Sequence, residues 1–512
     1  MRLLGTTVRG VQPMKRLLTT AIAAALAFGA TQPPAQADGD GRVVHTDKGL
    51  VAGTVTSTYR TFGNIPFAAP PLGENRWRDP QPVTPWQGVR DATKPSPDCA
   101  QTPQLNQPSS ENEDCLYLNV TTPAGRSHKP RPVMVWIHGG GFVSGAARLY
   151  DARWLATKND AVIVTINYRL GVFGFFGYPG LPGSGTFGLA DQQAALRWVQ
   201  RNARAFGGDA RNVTIFGESA GGLSVCAQLA SPPAAGLFHK AVIQSGACAL
   251  TAPDQQRPGT FTTLWRPRAE VEKTGAAQPL GCQDIACLRA LPVTTLLRVH
   301  NVFAFPAYDS RVLPVDPAVA QKTGRVHRVP TMVGSTHDEA TLFMALIEPA
   351  PVPDAQYRSR VSALFGEKNA DAIVARYPLN GNGDARDELA AALTDHSWAC
   401  PTQDTRDGLA RRMPVSGYEF ADPQAPVVFP LPPSFPGGYR AYHASELAYL
   451  FDFGATLTPA QQRLSDYLIA AWGRFARTGD PGWRAEVQSL APGAVRPADF
   501  AKDHQCGFWG QQ

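Results

Sequence analysis

Four short apolar runs recur along the first half of the chain, and helical patterns separate them. The runs cover residues 133–137, 161–166, 213–216 and 240–244. Their apolar residues are continuous rather than alternating, as expected of strands buried on both faces of a sheet. Helices are predicted over residues 189–206 and 221–229 from the spacing of Ala, Leu, Trp and Val. Strands that alternate with helices in this way predict an α/β protein with a mostly parallel sheet.

The segments on either side of this α/β pattern differ from it. Residues 38–130 are rich in Pro and Gly and predict short strands and irregular loops. After about residue 345 the pattern is mainly helical, with a Pro-rich loop near 423–438 and a helix from Pro459 to Arg477. No internal repeat or low-complexity linker interrupts the chain. We therefore expect one large domain over residues 38–512 with loop and helical insertions.

Composition excludes several classes of protein. The chain has 512 residues, of which 43% are hydrophobic and 18% charged, so it is too apolar for a disordered protein. The Gly and Pro residues follow no fixed period, which excludes collagen. The net charge of +6 is too dilute over this length to indicate a nucleic-acid partner.

The N-terminus has the three parts of a secretory signal peptide. Residues 1–37 contain four basic residues and no acidic one, then an apolar run over 17–30, and end in Ala-Gln-Ala, a small-x-small cleavage site. The run is shorter than the roughly 20 apolar residues needed to span a membrane. We therefore predict cleavage before Asp38 and a secreted, extracellular protein. Loss of this segment lowers the net charge from +6 to +2, and no later stretch is apolar enough to span a membrane.

The strongest chemical signal lies between the third apolar run and the helix that follows it. Gly217-Glu218-Ser219-Ala220-Gly221 fits G-x-S-x-G, which by itself is weak in a chain rich in glycine. Its place between a buried strand and a helix is that of a nucleophile elbow. The small neighbours permit a tight turn, and the helix N-terminus favours developing negative charge. Ser219 is therefore the candidate nucleophile, with a glycine-rich turn and a serine helix cap as the alternative.

A serine nucleophile also needs a base and donors for the oxyanion of its transition state. His138-Gly139-Gly140-Gly141-Phe142 follows the first apolar run, and glycine lets backbone N–H groups approach a substrate oxygen closely. Upstream of an elbow, this is the position of the HGGG-type oxyanion element of esterases, although a simple strand-to-loop turn is the alternative. His138 precedes the donors, so we expect it to support the loop rather than act as the base.

These motifs and several other segments resemble the type-B carboxylesterases, the group that contains carboxylesterases, cholinesterases and some fungal lipases. The resemblance covers nearly the whole chain after residue 37. It implies an α/β-hydrolase fold, with a central, mostly parallel sheet flanked by helices. The matching segments are residues 62–71, 113–120, 167–171, 206–209 and 216–222.

The resemblance also implies the remaining catalytic residues, because the family order is Ser, then Glu, then His. Glu339, at the end of Val333-Gly334-Ser335-Thr336-His337-Asp338-Glu339, is the implied acid, and Asp338 is its nearest rival. His443, ahead of an aromatic-rich helix, is the implied base. The implied oxyanion donors are the N–H groups of Gly140, Gly141 and Ala220, and a supporting buried polar pair is formed by Glu446 and Ser245. No metal or organic cofactor is expected.

All eight cysteines lie after residue 37, and an even number suits disulfides in an oxidising compartment. Sequence order leaves 105 pairings open. No spacing indicates a zinc site. The family resemblance implies the bridges Cys99–Cys115, Cys282–Cys287 and Cys400–Cys506. Cys226 and Cys248 are left open between free thiols and an additional bridge.

Three functions compete. The first is hydrolysis of small to medium carboxylic esters through an acyl-enzyme, and the second is a lipase or polyester hydrolase with the same chemistry. The third is a non-catalytic adhesion or binding module, which would have lost the Ser, Glu or His that are all present here. A cholinesterase is disfavoured because residues 101–113 contain no Trp to stack on a quaternary ammonium. The expected partner is therefore a small-molecule, lipid or polymer ester.

Overall fold

An eleven-stranded sheet is the framework of the protein. The computed structural model describes residues 41–510, apart from positions 106, 126, 128, 255, 256 and 433, so the predicted signal peptide lies outside the described residues. The strands of this sheet are β1 (Thr54–Val55), β2 (Tyr59–Pro66), β3 (Tyr117–Pro123), β4 (Arg131–Ile137), β5 (Val162–Ile166), β6 (Gly208–Glu218), β7 (Lys240–Gln244), β8 (Thr331–Thr336), β9 (Val415–Phe420), β10 (Val487–Leu490) and β11 (Arg496–Pro497).

The sheet is parallel in its centre and antiparallel at both edges. Its order is β11-β10-β9-β8-β7-β6-β4-β5-β3-β2-β1. All neighbours from β5 to β10 are parallel, and the outer pairs are antiparallel. The four predicted buried strands correspond to β4, β5, β6 and β7, and every residue of β4, β5 and β7 is buried. The predicted mostly parallel α/β sheet is therefore confirmed.

Apolar cores lie on both faces of the sheet, which explains why the central strands lack alternation. Along β4, Val133, Val135 and Ile137 belong to one core, whereas Met134 and Trp136 belong to the other. The α-helices that surround the sheet are α1 (Arg153–Asn159), α2 (Gly171–Phe175), α3 (Phe187–Asn202), α4 (Ala220–Leu229), α5 (Arg268–Ala276), α6 (Ile285–Ala290), α7 (Val293–Leu297), α8 (Pro317–Thr323), α9 (Ala340–Ile347), α10 (Tyr357–Phe365), α11 (Glu367–Arg376), α12 (Arg386–Thr394), α13 (Cys400–Ala410), α14 (Leu447–Leu450), α15 (Pro459–Thr478), α16 (Phe500–Asp503) and α17 (Cys506–Trp509).

Smaller elements complete the architecture. A three-stranded sheet near the N-terminus contains Val43–Thr46, Gly49–Ala52 and Val89–Asp91. Two-stranded sheets pair Thr251–Pro253 with Phe261–Thr263 and Arg266–Pro267 with Ala307–Tyr308. A π-helical turn over Asp395–Ala399 joins α12 to α13, and short 3-10 turns cover Gly73–Asn75, Ala147–Leu149, Ala203–Phe206, Pro232–Ala234, His300–Phe303 and Asp354–Gln356.

The C-terminal third contains strands that the sequence pattern does not predict. The expected helical insertion is present as α9 to α12, and it forms its own apolar core. Strands β9 and β10 then extend the main sheet. Strand β9 has the sequence Val-Ser-Gly-Tyr-Glu-Phe, which is neither a continuous apolar run nor a regular alternation. The predicted long helix is present as α15. It begins with a capping box between Thr458 and Gln461 and ends at Gly479 with φ of 80°.

Four disulfides cross-link the described part of the chain and leave no free cysteine there. Besides Cys99–Cys115, Cys282–Cys287 and Cys400–Cys506, the structure joins Cys226 to Cys248. This additional bridge ties α4 to the segment after β7. Four disulfides are consistent with an extracellular protein. Among the described residues, no helix combines the length and apolarity that crossing a membrane requires.

Candidate active site

Ser219 occupies a strained turn between β6 and α4. Its φ and ψ are 56° and −123°, and it precedes the first residue of the helix. Glycine is needed on both sides, because a Cβ on Gly217 would lie 2.7 Å from the carbonyl oxygen of Ile137 and one on Gly221 would lie 2.0 Å from it. Backbone strain of this kind persists where the surrounding structure enforces it, as in a nucleophile elbow.

Glu339 and His443 meet although they come from separate loops. Oε2 of Glu339, just after β8, lies 2.5 Å from Nδ1 of His443, which precedes α14. The other carboxylate oxygen, Oε1, accepts the N–H of Thr336 at 2.9 Å. Glu339 is fully buried and His443 is 5% exposed, so this contact is shielded from water. The carboxylate therefore fixes the orientation of the imidazole and leaves Nε2 for other chemistry.

Asp338, the rival acid, is directed elsewhere. One of its oxygens accepts a hydrogen bond from Nε of Arg440 at 2.8 Å, and the other accepts the N–H of Ala441 at 3.3 Å. The structure thus brings Glu339, and not Asp338, to His443.

Glu218 is a site residue that sequence reasoning missed. Its Oε1 lies 3.1 Å from Nε2 of His443, but neither atom has a hydrogen bond of acceptable geometry among the described residues. The side-chain hydrogen bonds of the described chain likewise include none between Ser219 and His443. Catalytic hydrogen bonds are commonly long without substrate and tighten when it binds. The signal available in the sequence was the position of Glu218 directly before the serine.

The two carboxylates change the proton affinity of His443. Burial lowers the pKa of His443, but the negative charges of Glu218 and Glu339 outweigh it and raise this pKa to about 9. Burial also raises the pKa of Glu218 to about 8, although the His443 charge opposes this. The Glu218–His443 pair therefore holds a proton more firmly than either isolated group.

The glycine loop lies directly against Ser219. A Cβ on Gly139 would lie 2.9 Å from the carbonyl oxygen of Glu218 and 3.1 Å from Cβ of Ser219. Gly140 and Gly141 follow with φ of 101° and 61°, and both are exposed. Ala220 is the first residue of α4, where N–H groups have no partner within the helix. Gly140 and Gly141 thus belong to the loop that packs on the Ser219 turn, and Ala220 directly follows Ser219.

His138 supports the loop and is neutral. Nδ1 lies 2.8 Å from the carbonyl oxygen of Gly139, and the ring stacks on Tyr168 with centroids 4.5 Å apart. Burial lowers the pKa of His138 to about 4. A neutral ring that donates from Nδ1 carries no proton on Nε2, which has no partner among the described groups.

The expected supporting residues are both buried but are not hydrogen-bonded to each other. Oε1 of Glu446 accepts a hydrogen bond from Nε2 of Gln244 at 3.1 Å. Oε2 of Glu446 and Oγ of Ser245 have no hydrogen-bond partner among the described residues. Burial, together with the Glu339 charge, raises the pKa of Glu446 to about 7.

An aromatic pair lies beside His443, and no sequence pattern indicates it. The rings of Phe343 and Trp398 stack with centroids 4.7 Å apart. The centroid of Phe343 is 4.9 Å from that of His443, and Trp398 is 6.2 Å away. These rings give the His443 imidazole an apolar wall that suits the hydrocarbon part of an ester.

One group of described side chains has ligand atoms close enough for a metal ion. It comprises His337, Glu419 and His504, within 4.8 Å of one another. However, both ring nitrogens of His504 are already bonded, at 2.6 Å to Asp395 and at 2.6 Å to Glu419. Burial lowers the pKa of His504, but the two carboxylates outweigh it and raise this pKa to about 10. We interpret His504 with Asp395 and Glu419 as a buried ionic cluster rather than as part of a metal centre.

Comparison with known proteins agrees with this architecture. The model of the carboxylesterase family matches residues 40–492. Para-nitrobenzyl esterase from Bacillus subtilis is 34% identical over 470 residues, which is 87% of this chain and 91% of that protein. Acetylcholinesterase from Bungarus fasciatus is also 34% identical, over 87% of this chain and 79% of its own.

A solved structure gives the same result. A thermophilic PNB esterase superposes with a TM-score of 0.74 and 31% identity, over 91% of this chain and 99% of that one. The expected α/β-hydrolase fold is therefore confirmed. The chain belongs to the carboxylesterase family and is a carboxylic-ester hydrolase.

Proposed function

We propose that the protein hydrolyses carboxylic esters through a Ser219–His443–Glu339 triad and an acyl-enzyme intermediate. The observation that carries the proposal is the buried 2.5 Å contact between Glu339 and His443, whose Nε2 faces the strand end that presents Ser219. Nδ1–H donates a hydrogen bond to the carboxylate and keeps its proton, so Nε2 is the basic nitrogen of the neutral ring.

The reaction has two halves. Oγ of Ser219 attacks the ester carbonyl carbon while Nε2 of His443 takes the hydroxyl proton, and Glu339 stabilises the resulting imidazolium. The N–H groups of Gly140, Gly141 and Ala220 donate to the oxyanion of the tetrahedral intermediate. The intermediate collapses, the C–O bond to the alcohol breaks and His443 protonates the alcohol. Water then attacks the acyl-enzyme, with His443 again as base, and releases the acid and Ser219.

We further propose that the natural substrates are small to medium esters in the extracellular space. The apolar wall of Phe343 and Trp398 supports an ester with a hydrocarbon part, and the N-terminal signal pattern with four disulfides supports export. Cleavage before Asp38 would leave residues 38–512 as one catalytic domain. A lipase or polyester hydrolase of the same chemistry is the second candidate, because nothing in the triad limits acyl length.

Replacement of the nucleophile tests the reaction. We expect Ser219→Ala to lower kcat for p-nitrophenyl acetate by about 10⁴-fold or more, with an unchanged free energy of unfolding. A folded variant with wild-type turnover would contradict the assignment.

Substrate class and export need separate measurements. A panel of p-nitrophenyl esters from acetate to palmitate, beside a triglyceride emulsion and a polyester film, separates the two candidates. Activity that falls beyond short chains supports an esterase, whereas preference for the emulsion or film supports the alternative. Mass analysis of secreted protein should find Asp38 at the N-terminus, and retention of residues 1–37 would contradict export by cleavage.

A further inference from the structure

Hydrogen bonds to two carbonyl groups of the glycine loop determine the direction of the N–H groups that follow. A trans peptide is planar, so the C=O of one residue and the N–H of the next point to opposite sides. The Gly139 carbonyl accepts Nδ1–H of His138, and the Gly140 carbonyl accepts the N–H groups of Val143 at 3.0 Å and Ser144 at 2.9 Å. The N–H groups of Gly140 and Gly141 therefore point away from these donors.

Ser144 connects this peptide to a second segment of the chain. Its Oγ donates to Oε1 of Gln104 at 2.7 Å, and the Gly140 carbonyl, at 3.2 Å, is its alternative acceptor. The residue is only 4% exposed. Gln104 belongs to the loop closed by the Cys99–Cys115 disulfide. A side chain of that loop thus holds the residue whose N–H fixes the Gly140 carbonyl.

Gln101 of the same loop holds the next residue along. Its Oε1 accepts the N–H of Gly145 at 2.9 Å, and its Nε2 lies within hydrogen-bond distance of the carbonyl oxygens of Gly145 and Cys99, at 3.3 and 3.1 Å. Gln101 is fully buried. One amide side chain therefore binds both backbone groups of Gly145, directly after Ser144.

We propose that Gln101, Gln104 and Ser144 are positioning residues for the oxyanion hole. Through these three residues, the loop 99–115, which a disulfide closes, keeps the N–H of Gly141 directed at the developing oxyanion. This inference rests on the proposed role of Ser219 and the glycine loop. Because the donors are aimed at charge that develops only in the transition state, their misalignment lowers kcat and leaves KM nearly unchanged.

Three variants and one matched control test the positioning role. We expect Gln101→Met and Ser144→Ala to lower kcat for p-nitrophenyl acetate about tenfold, less than the loss of a whole oxyanion donor, with KM within about twofold. Gln104→Ala should lower kcat about threefold. Because the Gln104 side chain is exposed, its removal should not unfold the protein, and unfolding would not account for the lower kcat. Ser184→Ala removes another buried loop serine, which donates to the carbonyl of Leu181 at 2.8 Å, and should keep wild-type kcat.

Inhibitor affinity separates orientation from general loosening. A trifluoromethyl ketone forms a hemiketal with the serine and places an oxyanion in the hole, whereas the matching methyl ketone reports ground-state binding. The Ki of the fluorinated ketone should rise by the same factor as KM/kcat in each variant, with the Ki of the methyl ketone unchanged. Folded variants with wild-type kcat, or with both Ki values raised equally, would overturn the proposal.

Titration with an organophosphate distinguishes the two levels of inference. The wild type and all variants should incorporate one equivalent on Ser219, because positioning affects the rate rather than the number of sites. Wild-type enzyme that is not labelled on Ser219 would overturn the proposed triad together with the positioning role. Full labelling combined with unchanged kcat in the three variants would overturn only the positioning role.

Discussion

His443 and His504 are both buried beside two carboxylates, but only one keeps a ring nitrogen free. Nε2 of His443 has no hydrogen bond of acceptable geometry in the described part of the chain, although Glu218 is 3.1 Å away. His504 is bonded through both nitrogens, at 2.6 Å to Asp395 and at 2.6 Å to Glu419. An imidazole beside two carboxylates therefore has one ring nitrogen without a hydrogen bond at His443 and both ring nitrogens bonded at His504.

Charge alone does not separate these regions, because the pKa of each imidazole is raised, to about 9 for His443 and about 10 for His504. Burial opposes the rise in both, and the carboxylates outweigh it. What differs is that His443 adjoins the Ser219 turn with a nitrogen that can accept a proton. His504 instead ties the C-terminal segment to β9, so we interpret it as structural.

The largest expected effects come from removing each histidine in turn. His443→Ala should lower kcat by about 10⁴ to 10⁶-fold per folded molecule. His504→Ala should keep kcat within about threefold per folded molecule, while the free energy of unfolding falls by about 3–5 kcal/mol because two buried carboxylates lose their partner. Steady-state kinetics and denaturant unfolding of both variants check this. A folded His504→Ala protein as inactive as His443→Ala would break the distinction.

Replacement of Glu339, the carboxylate partner of His443, gives the next largest effect. Glu339→Gln keeps the side-chain shape but favours the wrong tautomer of His443, so kcat should fall by about 10⁴-fold. Asp338→Asn is the matched control, since it alters the neighbouring acid that pairs with Arg440, and kcat should fall less than about tenfold. If Asp338→Asn lost more activity than Glu339→Gln, the acid would have to be reassigned.

The sequence predicts the parts of the fold that local burial dictates. Strands β4, β5 and β7 are buried on both faces, so their apolar runs are visible without any tertiary information. Strand β9 is polar at Ser416 and Glu419, and it joins the sheet through backbone pairing with β8, which leaves no side-chain pattern.

In the candidate site too, the sequence predicts what is local and does not predict what tertiary packing brings together. The local motif predicts Ser219, whereas the prediction of Glu339 and His443 depends on the family resemblance, because contacts between distant loops leave no local pattern. No sequence pattern indicates that Glu218 or Phe343 lies beside His443, because these contacts form only when distant segments pack together. The sequence also leaves the Cys226–Cys248 pairing open, because this pairing depends on how α4 meets the segment after β7.

His504, which is bonded through both ring nitrogens, should make the stability of the fold depend on pH. A histidine whose pKa is higher in the folded than in the unfolded state contributes stability fully below its unfolded value, about 6.5. For His504 this contribution is lost as the pH rises through about 10. Urea unfolding at pH 6, 8 and 10 should show a decline in the wild type that is smaller in His504→Gln. Equal slopes in both proteins would show that His504 is not held as an imidazolium.

The smallest expected effect concerns the influence of Glu218 on His443. The negative charge of Glu218 raises the pKa of His443, so Glu218→Gln should lower this pKa. Catalysis needs the neutral base, so kcat/KM rises with pH as the Glu218–His443 pair loses its proton, and the variant should reach its plateau about one pH unit earlier. His504→Gln is the matched control and should keep the wild-type pH profile. An unshifted pH profile in Glu218→Gln would contradict this expectation. It would mean that Glu218 is protonated beside the neutral imidazole and carries no charge there, so that Glu339 alone sets the proton affinity of His443.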